Sequence, residues 1–224
     1  MIDLIVPVLI LGAILLGLTA ALAAVRRFRD QKRKDALIQK AHTNDLTYLE
    51  ADPDIQDEPF MSFHLFHLGY SRDFTNVMRG KVKGMTAAFF DYKYTISEGR
   101  TTSTTRQTVA CYKLEEASVP TFELHPEIVG KKIASLFGYQ DIRFDAPSEF
   151  SKYFLLRSPD ETASRPYFTE KMRGEFKKDS EWSVEGGGQW VIVYRPGQRI
   201  TPENFKSFIR DTRRTAGIFA TKNL

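Results

Sequence analysis

The hydrophobic pattern divides the chain at residue 25. Leu4 to Val25, LIVPVLILGAILLGLTAALAAV, is a run of 22 residues without a charge. As a helix rising about 1.5 Å per residue it spans roughly 30 Å of hydrocarbon. Pro7 falls in its first turn, where a missing N–H matters least. Residues 35–50, DALIQKAHTNDLTYLE, gather Leu37, Ile38, Ala41 and Leu49 on one side of a helix that continues the first as a stalk, ended by Pro53. Asp52, Asp54, Asp57 and Glu58, interleaved with Pro53 and Pro59, read as an acidic linker.

Phe60–Leu68, FMSFHLFHL, predicts a strand. Ala88, Phe90, Tyr92, Tyr94 and Ile96 then alternate strictly, as on a half-buried strand. Thr101 to Thr108 carries six hydroxyl residues in eight positions. Threonine is β-branched and suits a strand, so the stretch reads as the solvated half of a hairpin rather than a modified loop. A turn at Glu98-Gly99 would set Phe90 opposite Gln107, Asp91 opposite Arg106 and Tyr92 opposite Thr105. Phe122–Leu124, Tyr139–Phe144 and Lys152–Leu156 are shorter strand candidates. His125-Pro126 opens a helix whose stripe is Val129, Ile133, Leu136 and Phe137. Ser158-Pro159-Asp160-Glu161 opens another, and Phe168, Met172 and Phe176 share one face of a further helical piece. Trp182–Glu185 and Gln189–Arg195 flank Gly186-Gly187-Gly188 as a hairpin. Thr201-Pro202-Glu203 leads into a last helix with Phe205, Phe208, Ile209, Thr212, Ala216 and Phe219 on its apolar side and Lys206, Arg210, Arg213 and Arg214 opposite.

Hairpins imply antiparallel pairing, so the fold class is α+β: an N-terminal transmembrane helix, then an antiparallel sheet packed with several helices. A strand pair leading into a C-terminal amphipathic helix is similar, in topology alone, to a pleckstrin-homology-like barrel. Three segments follow: an anchor over 1–25, a basic stalk and acidic linker over 26–59, and an α+β domain over 60–224.

Charge sharpens the picture. The net charge is +4, but Arg26, Arg27, Arg29, Lys32, Arg33 and Lys34 with Asp30 carry +5, Asp3 carries −1, and residues 35–224 balance to zero. A neutral body excludes a nucleic-acid-binding class, which needs a concentrated basic face. A basic cluster after the apolar run, with none before it, argues for an uncleaved anchor rather than a signal peptide. It also places the N-terminus outside and residues 26–224 in the cytoplasm of a cell membrane. Those six basic residues are the candidate membrane-surface contacts, with anionic lipid as the partner. The basic side of the last helix is a second, weaker candidate.

Catalytic chemistry is not legible. His64 and His67 would point to opposite faces of a strand and share no metal. Gly186–Gly188 precede a strand and not a helix N-terminus, so they form a turn rather than a phosphate loop. Cys111, the one cysteine, lies among Val109, Ala110 and Tyr112 as a small buried hydrophobe. No nucleophile elbow, zinc-helix, Walker or dinucleotide signature occurs, and no cofactor motif.

The phrases FTNVMRGKVKGMTAAFFDYKYT, RQTVACYKL, FGYQDIRFD and EWSVEGGGQWVIVYR together resemble a group of bacterial single-pass membrane proteins of uncharacterised function. The resemblance runs from about Phe60 to the C-terminus. It implies a bacterial source and one shared domain, and it carries over no functional residue. The expectation is a membrane-anchored cytoplasmic binding or scaffold domain that recruits a protein, a lipid headgroup or a small molecule. The alternative is a membrane-tethered hydrolase, which a cleft of converging titratable side chains would favour.

Overall fold

The computed structural model describes residues 2–127, 139–144, 150–176 and 181–220. The strict alternation around Phe90 produces long strands: β2 (Tyr70–Val82), β3 (Met85–Glu98) and β4 (Thr101–Lys113). With β1 (Thr47–Leu49), β5 (Val119–Pro126), β6 (Gln140–Ile142), β7 (Phe154–Ser158), β8 (Ser183–Gly188) and β9 (Trp190–Tyr194) they form one nine-stranded sheet. Its order is β1-β2-β3-β4-β9-β8-β5-β7-β6, and every pairing is antiparallel. The expected barrel is therefore corrected to an open sheet with β1 and β6 at its edges.

One face of the sheet is covered by helices. The last helix, here α5 (Phe205–Ala220), buries its whole expected apolar side. It packs with Met172 and Phe176 of α4 (Glu170–Phe176), and with Phe150 of the short α2 (Phe150–Tyr153), over Phe89, Tyr112, Phe122 and Val193. Helix α3 (Glu161–Tyr167) takes its cap from Asp160, whose carboxylate accepts the Ala163 N–H, rather than from Ser158, which is buried. The helix expected from His125-Pro126 does not start at those residues, because β5 continues through Pro126; its expected stripe lies outside the described residues.

The opposite face is covered by a strap. Phe60–Leu68 is not a strand but two short 3-10 turns, Pro59–Ser62 and His64–His67. The reason is its period: Phe60, Phe63 and Phe66 recur every three residues, which puts them on one side of a three-residue turn. All three rings are buried against Phe74, Phe90, Tyr92 and Tyr194. The acidic stretch also packs rather than links. Asp52 caps the preceding turn, Pro53–Asp57, and both Asp52 and Glu58 pair with Arg79 of β2, with Ile55 buried beneath.

The β3–β4 hairpin forms as expected but with the turn one residue later, at Gly99-Arg100, where Gly99 takes a φ of 59°. Asp91 consequently faces Thr108, not Arg106. A shift of two positions on β4 keeps every side chain on its expected face. Thr101–Thr104 are solvent-exposed, and the Thr95 and Thr104 hydroxyls lie 3.1 Å apart as rungs of a ladder. Cys111 is fully buried, and burial pushes its thiol well above the ordinary value.

The N-terminal helix α1 runs unbroken from Ile2 to His42, so the stalk continues the first helix as expected but ends before Pro53, and residues 47–49 join the sheet instead. From Ile14 onward, where side chains are described, no helix is long and apolar enough to cross a membrane; that stretch holds only the last twelve residues of the apolar run, Ile14–Val25.

The glycines of β8 make one close contact that a substitution would expose. A Cβ at Gly186 would sit 2.4 Å from the Phe122 ring, whereas one at Gly174 would meet nothing within 4 Å. Gly186→Ala should therefore lower stability by about 1–3 kcal/mol, or roughly 3–10 °C in melting temperature for a chain of this size. Gly174→Ala should not lower it. Thermal unfolding of both variants checks this, and an unchanged melting temperature for Gly186→Ala would show that the ring does not pack there.

Candidate functional site

Antiparallel register lines up a row of charged side chains on the strap side of the sheet. Asp141 faces Arg157, Arg157 faces Glu123, and Glu123 faces Glu185 across β6, β7, β5 and β8. His125 and Ser183, two positions along their strands, share that face. The strap closes over this row, bringing His64 onto Glu123 with Nδ1 2.9 Å from Oε1. The His125 Nε2 lies 3.5 Å from the other Glu123 oxygen, and its Nδ1 lies 3.1 Å from the Ser183 hydroxyl. Glu185 accepts hydrogen bonds from the Leu65 N–H at 3.1 Å and the Tyr194 hydroxyl at 2.7 Å. Arg157 donates to Asp141 at 3.0 Å and to the Tyr139 carbonyl at 3.1 Å.

Every member of the His64, Glu123, His125, Glu185 group is buried. Burial alone would raise the Glu123 pKa; hydrogen bonds and charge from His125 and His64 win and hold it at about 2. Burial alone would lower His64; the Glu123 carboxylate wins and holds it above the ordinary histidine value. Glu185 goes the other way, raised first by burial and then by the Glu123 charge. The result is an ionised His64–Glu123 pair beside a second carboxyl that resists ionisation.

A cleft of about 430 Å³ opens over this group, with His64, Glu123 and Glu185 in its lining and Phe63, Tyr139 and Trp190 along its walls. It offers an apolar surface with a polar, charged floor, the usual make-up of a small-ligand site. Glu123, His125 and Ser183 stand within reach of one another as a hydrolytic triad would. Ser183 has no exposed surface beneath the strap, however, and lies outside the cleft lining. Of the two histidines read from the sequence, His64 is buried in this group and His67 is exposed. Among the described residues no group of three or more His, Cys, Asp or Glu side chains is arranged to hold a metal.

The basic cluster divides by position. Arg26, Arg29, Lys32 and Arg33 line one open groove of about 1010 Å³ together with Arg106 and Arg199. Arg27 is exposed outside its lining, and Lys34 pairs with Glu50 at 2.5 Å. Arg33 turns inward: its guanidinium binds both Asp91 oxygens, at 2.5 and 3.1 Å, and donates to the Ile200 carbonyl at 3.0 Å. On α5, Arg210 pairs with the neighbouring Asp211 at 2.9 Å.

Comparison with known proteins places the architecture. No family model matches the chain, and no curated protein matches it. Among solved structures it is similar to the crystal structure of the mycobacterial trehalose monomycolate transport factor A, TtfA, with a TM-score of 0.57 over 84% of this chain and 92% of that one, at 14% identity. At that identity the likeness is one of fold: an α+β chain with a large antiparallel sheet and several helices.

The buried group makes stability depend on pH in a defined direction. A carboxyl held low in the fold stabilises it above its unfolded pKa, and that contribution fades as the pH falls from about 4.5 toward about 2. A histidine held high stabilises below its unfolded pKa near 6.5 and loses that contribution as the pH rises through the folded value. Glu123→Gln should cost about 3 kcal/mol near pH 6 and remove the alkaline loss of stability expected of the parent. Melting temperatures from pH 5 to 9 test it; parallel profiles for parent and variant would show that Glu123 does not hold the His64 proton.

Proposed function

We propose that the chain is a membrane-anchored binding or scaffold module, with α1 as a single-pass anchor and the sheet domain on the cytoplasmic side. The observation that carries this reading is the way α1 leaves the domain. Ile14, Leu15, Leu16, Leu18, Leu22 and Val25 are each more than half exposed, an apolar surface that no described part of the domain covers. Such a surface belongs in lipid or against a partner. With Leu4 to Val25 uncharged and the basic residues beginning at Arg26, lipid and the positive-inside orientation are the reading that fits best. The cleft beside His64 is then the seat for a small molecule or a partner's side chain at the membrane face. The description of TtfA as a transport factor suits such a module, and an accessory role at a membrane is the class of work proposed here.

A second reading, a membrane-tethered hydrolase, has one observation in its favour: Glu123, His125, Ser183 and Glu185 meet beneath a cleft. Its obstacle is the buried Ser183, which cannot meet a substrate while the strap is closed. A serine-directed fluorophosphonate probe should leave the full chain unlabelled, and labelling of Ser183 would turn the assignment toward the hydrolase. Orientation is tested separately. A phosphatase reporter that works only outside the cytoplasm, fused after Leu224, should be silent, and a strong signal would reverse the topology.

A further inference from the structure

We infer that the groove between the juxtamembrane turns of α1 and the domain is a seat for the phosphate of an anionic lipid headgroup. The inference rests on the reading of α1 as an anchor and names the ligand class for its exit point. Six cationic side chains, Arg26, Arg29, Lys32, Arg33, Arg106 and Arg199, line the groove against two carboxylates, Asp30 and Glu203. Two of the six are already engaged. Arg33 is held by Asp91, and Arg199 lies 3.7 Å from Asp30. Arg26, Arg29, Lys32 and Arg106 have no carboxylate within ion-pair distance among the described residues, and all four are exposed. The groove therefore holds a surplus of positive charge that the fold itself does not neutralise.

Those charges come from both walls. Arg26, Arg29 and Lys32 stand on α1, Arg106 on β4, and Arg199 on the loop between β9 and α5. The walls are tied together: Arg33 bonds Asp91 and the Ile200 carbonyl, and Asp30 lies against Arg199. A plain topology signal needs only the residues on α1. Domain arginines set opposite them make a concave, pre-organised cationic site, and guanidinium groups match phosphate oxygens in number and geometry.

Depth selects the source of the phosphate. Arg26 follows the last apolar residue, and Asp30 lies five residues beyond Val25, or about 7.5 Å along a helix. That is about the thickness of the headgroup layer on one side of a bilayer. Arg199, beside Asp30, is therefore held at headgroup level. Phe28 also lines the groove and is 72% exposed, an apolar ring at the height where aromatic side chains settle at an interface. A soluble phosphate would need the cations but would have no use for the depth or the ring.

The test uses the full chain in mild detergent micelles doped with either phosphatidylglycerol or phosphatidylcholine, with retained lipid counted by native mass spectrometry. The parent should keep phosphatidylglycerol in preference to phosphatidylcholine. The double variant R106A/R199A should hold it about tenfold more weakly or worse, since each basic residue near the surface contributes appreciably to anionic lipid binding. Both substitutions lie outside the α1 cluster, so carbonate-resistant membrane association should be unchanged. Equal retention by parent and variant, or no preference between the lipids, overturns the site and leaves the anchor standing. Loss of the parent itself from carbonate-washed membranes overturns the anchor. Displacement of the lipid by millimolar inorganic phosphate would assign the groove to a soluble phosphate compound and overturn the lipid source.

Discussion

Arg33 and Asp91 stand 58 positions apart in the chain, and their ion pair joins the N-terminal helix to the sheet. Asp91 is buried on the helix-covered face and accepts from both Arg33 nitrogens, from the Asn76 amide at 2.9 Å and from the Thr108 hydroxyl at 2.7 Å. A buried carboxylate is tolerable only when satisfied in this way. The same arginine reaches the Ile200 carbonyl, so one side chain gathers α1, the β3–β4 hairpin and the approach to α5. Leu37 and Ala41 pack the helix onto the domain beyond this point, and the part-buried Arg33 lies on the side from which the helix departs. Whatever the outer part of α1 enters, the domain is held against it at a set distance.

The two faces of the sheet do different work. The helix-covered face is an ordinary apolar core to which α5 contributes Phe205, Phe208, Ile209 and Phe219. The strap face begins as an aromatic cluster over β2, β3 and β4, and becomes a polar row over β8, β5, β7 and β6. The strap ends at that change of character, with Phe60 and Phe66 on the aromatic part and His64 on Glu123. A cleft forms where the cover stops, and its floor is charged because the row continues under it.

Alternation and helix stripes were legible in the chain, and with them the hairpins, α5 and the α+β class. The shift of the hairpin turn from Glu98-Gly99 to Gly99-Arg100 arises because either pair of residues can form the turn, while the two-position slip leaves every face intact. The buried charged row was hidden by the same rule that found the strands. Glu123, His125, Ser183 and Glu185 alternate with Phe122, Leu124, Trp182 and Val184, which reads as a solvated face. They are buried because Phe60–Leu68 crosses over them as a strap, and that segment had been expected to be a strand. Its signal was a three-residue spacing of phenylalanines. Arg106 and Arg199 could not be assigned to the basic cluster from sequence, since only the folded domain sets them opposite α1.

The central claim is that α1 and the sheet form one body through Arg33 and Asp91. Spin labels at Gln31→Cys and Lys81→Cys, both exposed sites, report the distance between them in a bilayer by pulsed electron resonance, while buried Cys111 stays unlabelled. The account predicts a single narrow distance distribution that broadens when Arg33→Ala is added. A broad distribution in the parent, or a narrow one indifferent to Arg33→Ala, would contradict it.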